Sequence, residues 1–267
     1  MDSVLVRNNV TIAGKGTTPI LFAHGFGCDQ HSWQFMKDAF TDDYKVILFD
    51  YVGAGKSDIA SYDIAKYGNL DGYAQDVLDI CEELQLTNTI FVGHSVSSMI
   101  GVLAANKKPE YFKQLIFIGP SPRYINDENY KGGFERQDLD NLFEFMDSNY
   151  LGWSSTLAPA IMGNADRPEL GAFLTSSFCS TNPDIARNFA RVTFFSDNRK
   201  DLANVKVPSL TLQCMEDIIA PVVVGEYVHK AIPNNSFHLM KATGHCPHIS
   251  EPEETIDAIK SYLKNIN

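Results

Sequence analysis

Short runs of β-forming, apolar residues recur at 10–12, 20–23, 46–50, 90–92, 115–118, 210–214 and 237–240. Helically spaced stretches separate them, and this alternation predicts a mostly parallel sheet covered by helices. Val46-Ile47-Leu48-Phe49 is apolar at every position, the pattern of a strand buried on both faces. Leu70, Tyr73, Ala74, Val77, Cys81 and Leu84 fall at helical spacing and mark one packed face. Near the end of the chain, Ser250 followed by Glu253 predicts a capping box, with Ile256, Ile259 and Leu263 facing inward behind it.

Across 124–195 the strand signal stops while helical spacing continues through Leu139, Leu142, Phe143 and Met146 and through Leu170, Phe173, Leu174 and Phe178. The chain therefore divides into a core of residues 1–123 and 196–267 and a helical insertion, a lid, over 124–195. That insertion holds 12 of the 30 aromatic residues, more than a helical layer needs to rest on a sheet, which suggests the wall of an apolar pocket.

Composition adds exclusions. A net charge of -11 without a dense basic run disfavours nucleic acid as a partner. No apolar run approaches the roughly 20 residues of a membrane span. No basic, apolar and small-residue leader pattern stands near Met1. Cys28, Cys81, Cys179, Cys214 and Cys246 are odd in number, scattered and without metal-site spacing, so reduced thiols, a cytoplasmic setting, and neither metal nor cofactor are expected.

The candidate chemistry begins where Ile90-Phe91-Val92 runs into Gly93-His94-Ser95-Val96-Ser97 and on into a helix through Met99, Ile100, Val102 and Leu103. A serine on such a strand-to-helix turn is held in strained geometry with its hydroxyl exposed, so the flanking residues must be small. Glycine is usual at both flanks, and Ser97 departs from that. A serine hydroxyl is a weak nucleophile until a base, itself oriented by a carboxylate, takes its proton. His245, in Gly244-His245-Cys246-Pro247-His248 between the last strand and the last helix, suits the base. His248 is the rival, and its place beside the helix cap favours a structural role. After 210–214 the loop offers Glu216 and Asp217, of which Asp217 adjoins the apolar run that would bury it against the imidazole. The resulting chain order, Ser95, Asp217, His245, is that of the α/β-hydrolases.

Acyl transfer also needs N–H donors for the oxyanion, one after the nucleophile and one after an earlier strand. Val96 and Phe26, the latter in His24-Gly25-Phe26-Gly27, fill these places, and the Phe26 ring would then overhang the nucleophile. His24, His31, His229 and His238 have no comparable placement and read as surface or packing residues. Gly53-Ala54-Gly55-Lys56-Ser57 looks like the end of a phosphate-binding loop, but the glycine that such a loop requires five residues before Gly55 is Asp50.

With these residues in place the chain resembles the RsbQ-type bacterial stress-signalling hydrolases, relatives of the plant karrikin and strigolactone receptors. The resemblance spans nearly the whole chain and rests on His24-Gly25-Phe26-Gly27-Cys28-Asp29-Gln30, Phe49-Asp50-Tyr51-Val52-Gly53, Phe91-Val92-Gly93-His94-Ser95-Val96, Gly132-Gly133-Phe134-Glu135, Asp217-Ile218-Ile219-Ala220-Pro221 and Gly244-His245-Cys246-Pro247-His248. Ser97-Ser98-Met99-Ile100-Gly101 is closer to the plant receptors. The resemblance implies an α/β-hydrolase fold with a four-helix, V-shaped lid over a deep apolar pocket. It further implies a small hydrophobic ester or lactone reaching Ser95, with slow hydrolysis coupled to signalling. In the bacterial branch the partner is a PAS-domain serine phosphatase that releases a stress sigma factor. Pocket residues carried over by position are Phe26, Tyr124, Phe134, Leu142, Trp153, Phe194 and Ile218; Leu157 stands where the plant receptors tend to have phenylalanine. A ligand-binding receptor with little or no turnover is the alternative.

Overall fold

The computed structural model describes residues 3–265; positions 1, 2, 266 and 267, the outer ends of the two expected core segments, lie outside the described residues. Among the described residues seven strands form: β1 (Thr11–Ala13), β2 (Thr18–Ala23), β3 (Tyr44–Leu48), β4 (Thr89–His94), β5 (Phe112–Ile118), β6 (Ser209–Glu216) and β7 (Asn235–Thr243). They join in the order β1-β3-β2-β4-β5-β6-β7, and only β1 runs antiparallel to its neighbour. The helices that matter below are α1 (Val4–Arg7), α2 (Leu70–Glu83), α3 (Val96–Lys107), α4 (Arg136–Ser148), α5 (Tyr150–Met162), α6 (Pro168–Ser180), α7 (Pro183–Phe194), α8 (Val222–Ala231), α9 (Pro247–Ser250) and α10 (Pro252–Asn265).

Side chains alternate across each strand, so one set must face each side of the sheet. Leu21, Ala23, Ile47, Phe49, Phe91, Leu115 and Phe117 pack into one cluster with residues of α2 and α3. Their neighbours Ile20, Phe22, Val46, Leu48, Ile90, Val92, Ile116 and Ile118 pack into another with Trp33, Phe40 and, from α10, Ile259 and Leu263. Burial on both faces explains why these strands read as continuous apolar runs. Helix α3 is buried from Val96 to Ala105, which is why its apolar residues surround it instead of forming a stripe.

Helices α4 to α7 lie between β5 and β6 in the chain and bury a third cluster that includes Leu139, Phe143, Trp153, Leu174, Phe178 and Phe194. Local signals start them: the Asn149 side chain accepts the Gly152 N–H, Asn182 accepts those of Asp184 and Ile185, and Glu135 and Asp138 form a capping box.

Two local expectations fail. Residues 124–135 are a loop with isolated bridges between Ile125 and Phe134 and between Asp127 and Tyr130, not helix. There Asn126 Oδ1 accepts the N–H groups of Gly132 and Gly133, a side-chain turn that competes with helix. The Ser250–Glu253 capping box does not form either. Ser250 ends α9 and its hydroxyl donates to the Cys246 carbonyl, while α10 begins at Pro252, whose fixed φ suits a first turn.

The sheet register sets the site. Ala23 pairs with Gly93, His94 with Ile118, and Glu216 with Thr243. The turns after β2, β4, β6 and β7 therefore emerge together at the carboxyl ends of parallel strands, where open α/β sheets form their crevice.

Candidate active site

Ser95 sits between β4 and α3 at φ 55° and ψ -123°, a left-handed conformation that costs a non-glycine residue about 1–3 kcal/mol. Neighbours hold it there: the Ser95 N–H donates to the Ile118 carbonyl at 2.8 Å, and the Ser98 hydroxyl to the Gly93 carbonyl at 3.0 Å. A Cβ on Gly93 would lie 2.6 Å from the Ser97 carbonyl oxygen, so that position must be glycine. Ser97, where the second glycine is usual, uses its hydroxyl. It donates to the His24 carbonyl and lies 2.9 Å from the Tyr51 hydroxyl, tying the start of α3 to the ends of β2 and β3.

The Ser95 hydroxyl is 2.7 Å from His245 Nε2, and His245 Nδ1 is 2.7 Å from Asp217 Oδ2. Asp217 Oδ1 accepts the N–H groups of Ile219 and Ala220 at 2.8 and 3.0 Å, so the carboxylate is pinned on one side and aimed at the ring with the other. Because a carboxylate only accepts, Nδ1 carries the proton, and Nε2 is left with the lone pair that faces Ser95. All three side chains are buried. Glu216, by contrast, is exposed.

The rival histidine takes no part in this chain. His248 is buried between Trp33 and His94, at ring separations of 4.6 and 4.3 Å, with no hydrogen-bond partner on either nitrogen among the described residues. Burial, and then the neighbouring His94, hold its pKa well below the ordinary value. His94 is lowered to about 3, again mainly by burial and then by His245. Its Nε2–H donates to the His245 backbone carbonyl at 2.8 Å. That contact fixes the residue carrying the candidate base, and the sequence pattern held no signal for it. His24 is also buried, with Nδ1 donating to the Gly25 carbonyl and Nε2 accepting the Tyr51 N–H. His31 and His238 are exposed and His229 half-buried.

Val96 is the first residue of α3, where an N–H has no intrahelical acceptor. Neither it nor the N–H of Phe26 has a partner among the described residues. Behind them lies a cavity of about 30 Å³, room for about one water molecule, bounded by Ser95, His245 and His94 and otherwise mostly apolar.

Of the expected pocket residues, Phe26, Tyr124 and Phe194 line this cavity. Trp153 stands behind them, stacked on Phe178 at 5.7 Å and edge-on to Phe26 at 6.2 Å. Phe134 packs on Phe194, while Leu142 and Leu157 are half-buried against the same cluster. Ile218 is misplaced by the sequence reading: it is 56% exposed, and Ile219 at 4% lines the cavity instead. The reason is the turn in which Asp217 accepts the Ile219 and Ala220 N–H groups, which sends residue 218 outward. Cys28, Ile161, Leu174, Phe178, Thr193 and Cys246 also line the cavity and were not anticipated. Burial raises the Cys28 thiol to about 12 and Cys246 well above its ordinary value, which makes both inert.

The glycine-rich loop after β3 holds its own anion. Asp50 Oδ2 accepts the Lys56 N–H at 2.9 Å, so a side-chain carboxylate occupies a loop donor that a phosphate would use, and Oδ1 accepts the Gln30 N–H at 2.8 Å. No helix among the described residues is long and apolar enough to cross a membrane.

Comparison with known proteins agrees with this geometry. Residues 18–194 match the family described as alpha/beta hydrolase fold. A karrikin insensitive 2 receptor of Petunia hybrida is 42% identical over 265 residues, covering 98% of each chain. A strigolactone esterase of Arabidopsis thaliana is 37% identical over 262 residues, also 98% of each. Among solved structures, a hydrolase from Oleispira antarctica superposes with a TM-score of 0.96 at 42% identity, covering 98% of this chain and 96% of that one. With more than half the chain matched and relatives of this identity along its length, the protein belongs to the α/β-hydrolase family.

Proposed function

We propose that the protein is a serine hydrolase that cleaves a small hydrophobic ester or lactone. The unbroken hydrogen-bond chain from Ser95 through His245 to Asp217 supports this reading above all else. His245 Nε2 takes the Ser95 proton as Oγ attacks the substrate carbonyl carbon. The oxyanion meets the free N–H groups of Phe26 and Val96, and the alcohol leaves with the proton from His245. Water, deprotonated by His245, then attacks the acyl-serine, and His245 returns that proton to Ser95 Oγ as the acid is released. Esterase-named relatives support the same class of reaction.

The cavity's small volume supports a second element of the reading. Ligand pockets commonly span about 300–1,000 Å³, so the reading includes a lid, α4 to α7, whose movement enlarges the space beside Ser95. A receptor whose lid position is its output, with little turnover, is the second reading, favoured by the receptor-named relatives. In its finer form it places the protein in the RsbQ-type branch, in a cytoplasm that keeps its five cysteines free, with a PAS-domain serine phosphatase as partner in stress signalling.

Treatment with a fluorophosphonate should add one adduct at Ser95, detected by mass spectrometry of the intact protein and its peptides, and none in Ser95→Ala. An unlabelled serine in folded protein would remove the hydrolase reading. The receptor reading fails if ligands that occupy the pocket change neither thermal stability nor capture of the phosphatase.

A further inference from the structure

Two buried hydroxyls in the cavity wall have no partner among the described residues: Tyr124 Oη and Thr193 Oγ1, on residues 1% and 2% exposed. Tyr124 lies near Ser95 without completing a hydrogen bond, and burial raises its pKa. Thr193 lies at the opposite end of the same insertion, in the last turn of α7. A hydroxyl on a helix ordinarily satisfies itself by donating to the carbonyl four residues back. Ser154, Ser155 and Thr156 of α5 and Thr175 of α6 all do so, at 2.8 to 2.9 Å. Thr193 does not, although the Phe189 carbonyl stands at that spacing. Thr193 is instead among the residues that line an otherwise almost wholly apolar space shared with the candidate nucleophile.

Leaving a buried hydroxyl without a partner is unfavourable, and a polar group so placed is where a ligand is read. We infer that Thr193 is a specificity residue, and that the substrate carries a second oxygen, an ether or carbonyl acceptor apart from the scissile ester group, to which the Thr193 hydroxyl donates. This rests on the hydrolase reading and narrows its substrate class. A purely hydrocarbon ester would enter the pocket but leave Thr193 as it is in the free protein. An oxygenated one gains a bond that only the bound state supplies, and a site with an unmatched polar group discriminates against analogues lacking its partner.

The test uses two ester series, one varying the acyl chain and one the alcohol chain. Each has an all-carbon parent and analogues with an ether oxygen replacing one methylene at successive positions; hydrolysis is followed by pH-stat. In the wild type, one position is expected to favour the ether analogue over its parent. Thr193→Val, of nearly the same shape, should reduce that preference about tenfold, whereas Thr193→Ser should keep it. Without ligand, Thr193→Val should also raise Tm, since it removes an unpartnered hydroxyl.

If the preference is the same in the wild type and Thr193→Val at every position, or if Thr193→Val lowers Tm, the inference falls and the hydrolase reading stands. If no ester is hydrolysed and Ser95 takes no fluorophosphonate, the hydrolase reading falls and the inference with it.

Discussion

The hydroxyls of Tyr51 and Ser97 meet at 2.9 Å beneath the strained turn at Ser95. Ser97 donates its one proton to the His24 carbonyl, so Tyr51 must be the donor between the two hydroxyls. A position where glycine would serve for size thus carries a link among β2, β3 and α3. Removing the hydroxyl in Ser97→Gly leaves a buried tyrosine hydroxyl and a carbonyl unpaired, and should destabilise the protein by about 1–3 kcal/mol in urea unfolding. Adding Tyr51→Phe should recover part of that loss. Strictly additive effects would show that the two hydroxyls are not coupled.

Asp217→Asn tests the orientation of the candidate base. The Ile219 and Ala220 N–H groups would hold the amide oxygen where Oδ1 now lies, turning the NH2 toward His245 Nδ1. The ring would have to accept there and carry its proton on Nε2, facing Ser95 with no lone pair. Ester turnover should drop by about 10⁴-fold with the fold unchanged by circular dichroism. A loss of less than tenfold would contradict the assigned role.

Gly25→Ala reaches the same base through the backbone. The added Cβ would lie 2.5 Å from His94 Nδ1, and His94 holds the His245 carbonyl. The expected result is a lower kcat together with a lower Tm, as the displaced His94 moves the histidine that accepts the proton. Turnover equal to that of the wild type would show that the 2.8 Å contact has no catalytic consequence.

His94 and His248 make the protein sensitive to acid. Both are buried with pKa values below the unfolded value of about 6.5, His94 at about 3. Between those values the unfolded chain binds protons that the folded one does not. Their contribution is therefore complete above about pH 6.5 and is lost as pH falls toward about 3. Replacing His248, which makes no hydrogen bond among the described residues, by phenylalanine should flatten the fall of the urea midpoint between neutral pH and pH 4.5. An unchanged slope would mean that His248 is protonated in the folded state.

Adjacent isoleucines should behave in opposite ways. Ile219→Ala removes a buried contact of the pocket wall and should cost about 2–5 kcal/mol and widen tolerance for bulky esters. Ile218→Ala, at an exposed site, should stay within about 0.5 kcal/mol of the wild type in a urea melt.

The strands and the candidate triad could be read from the chain because each depends on local pattern. Continuous apolar runs mark the central strands covered on both faces, and Ser95, Asp217 and His245 each closely follow a β-forming segment, where a turn must expose them at one edge of the sheet. The same pattern explains why Phe26 and Val96 could be named as donors. What tertiary structure alone decided depends on contacts between distant segments or on single rotamers. Ser97 is tolerated because Tyr51 and the His24 carbonyl receive it; His94 steadies a residue 151 positions away. An Asp217 turn, not hydropathy, sends Ile218 out and Ile219 in, and the small cavity follows from how α5, α6 and α7 settle on Phe26. Periodicity tells which face of an element is buried; it carries no information on which atoms meet there, because that is set by packing across the whole fold.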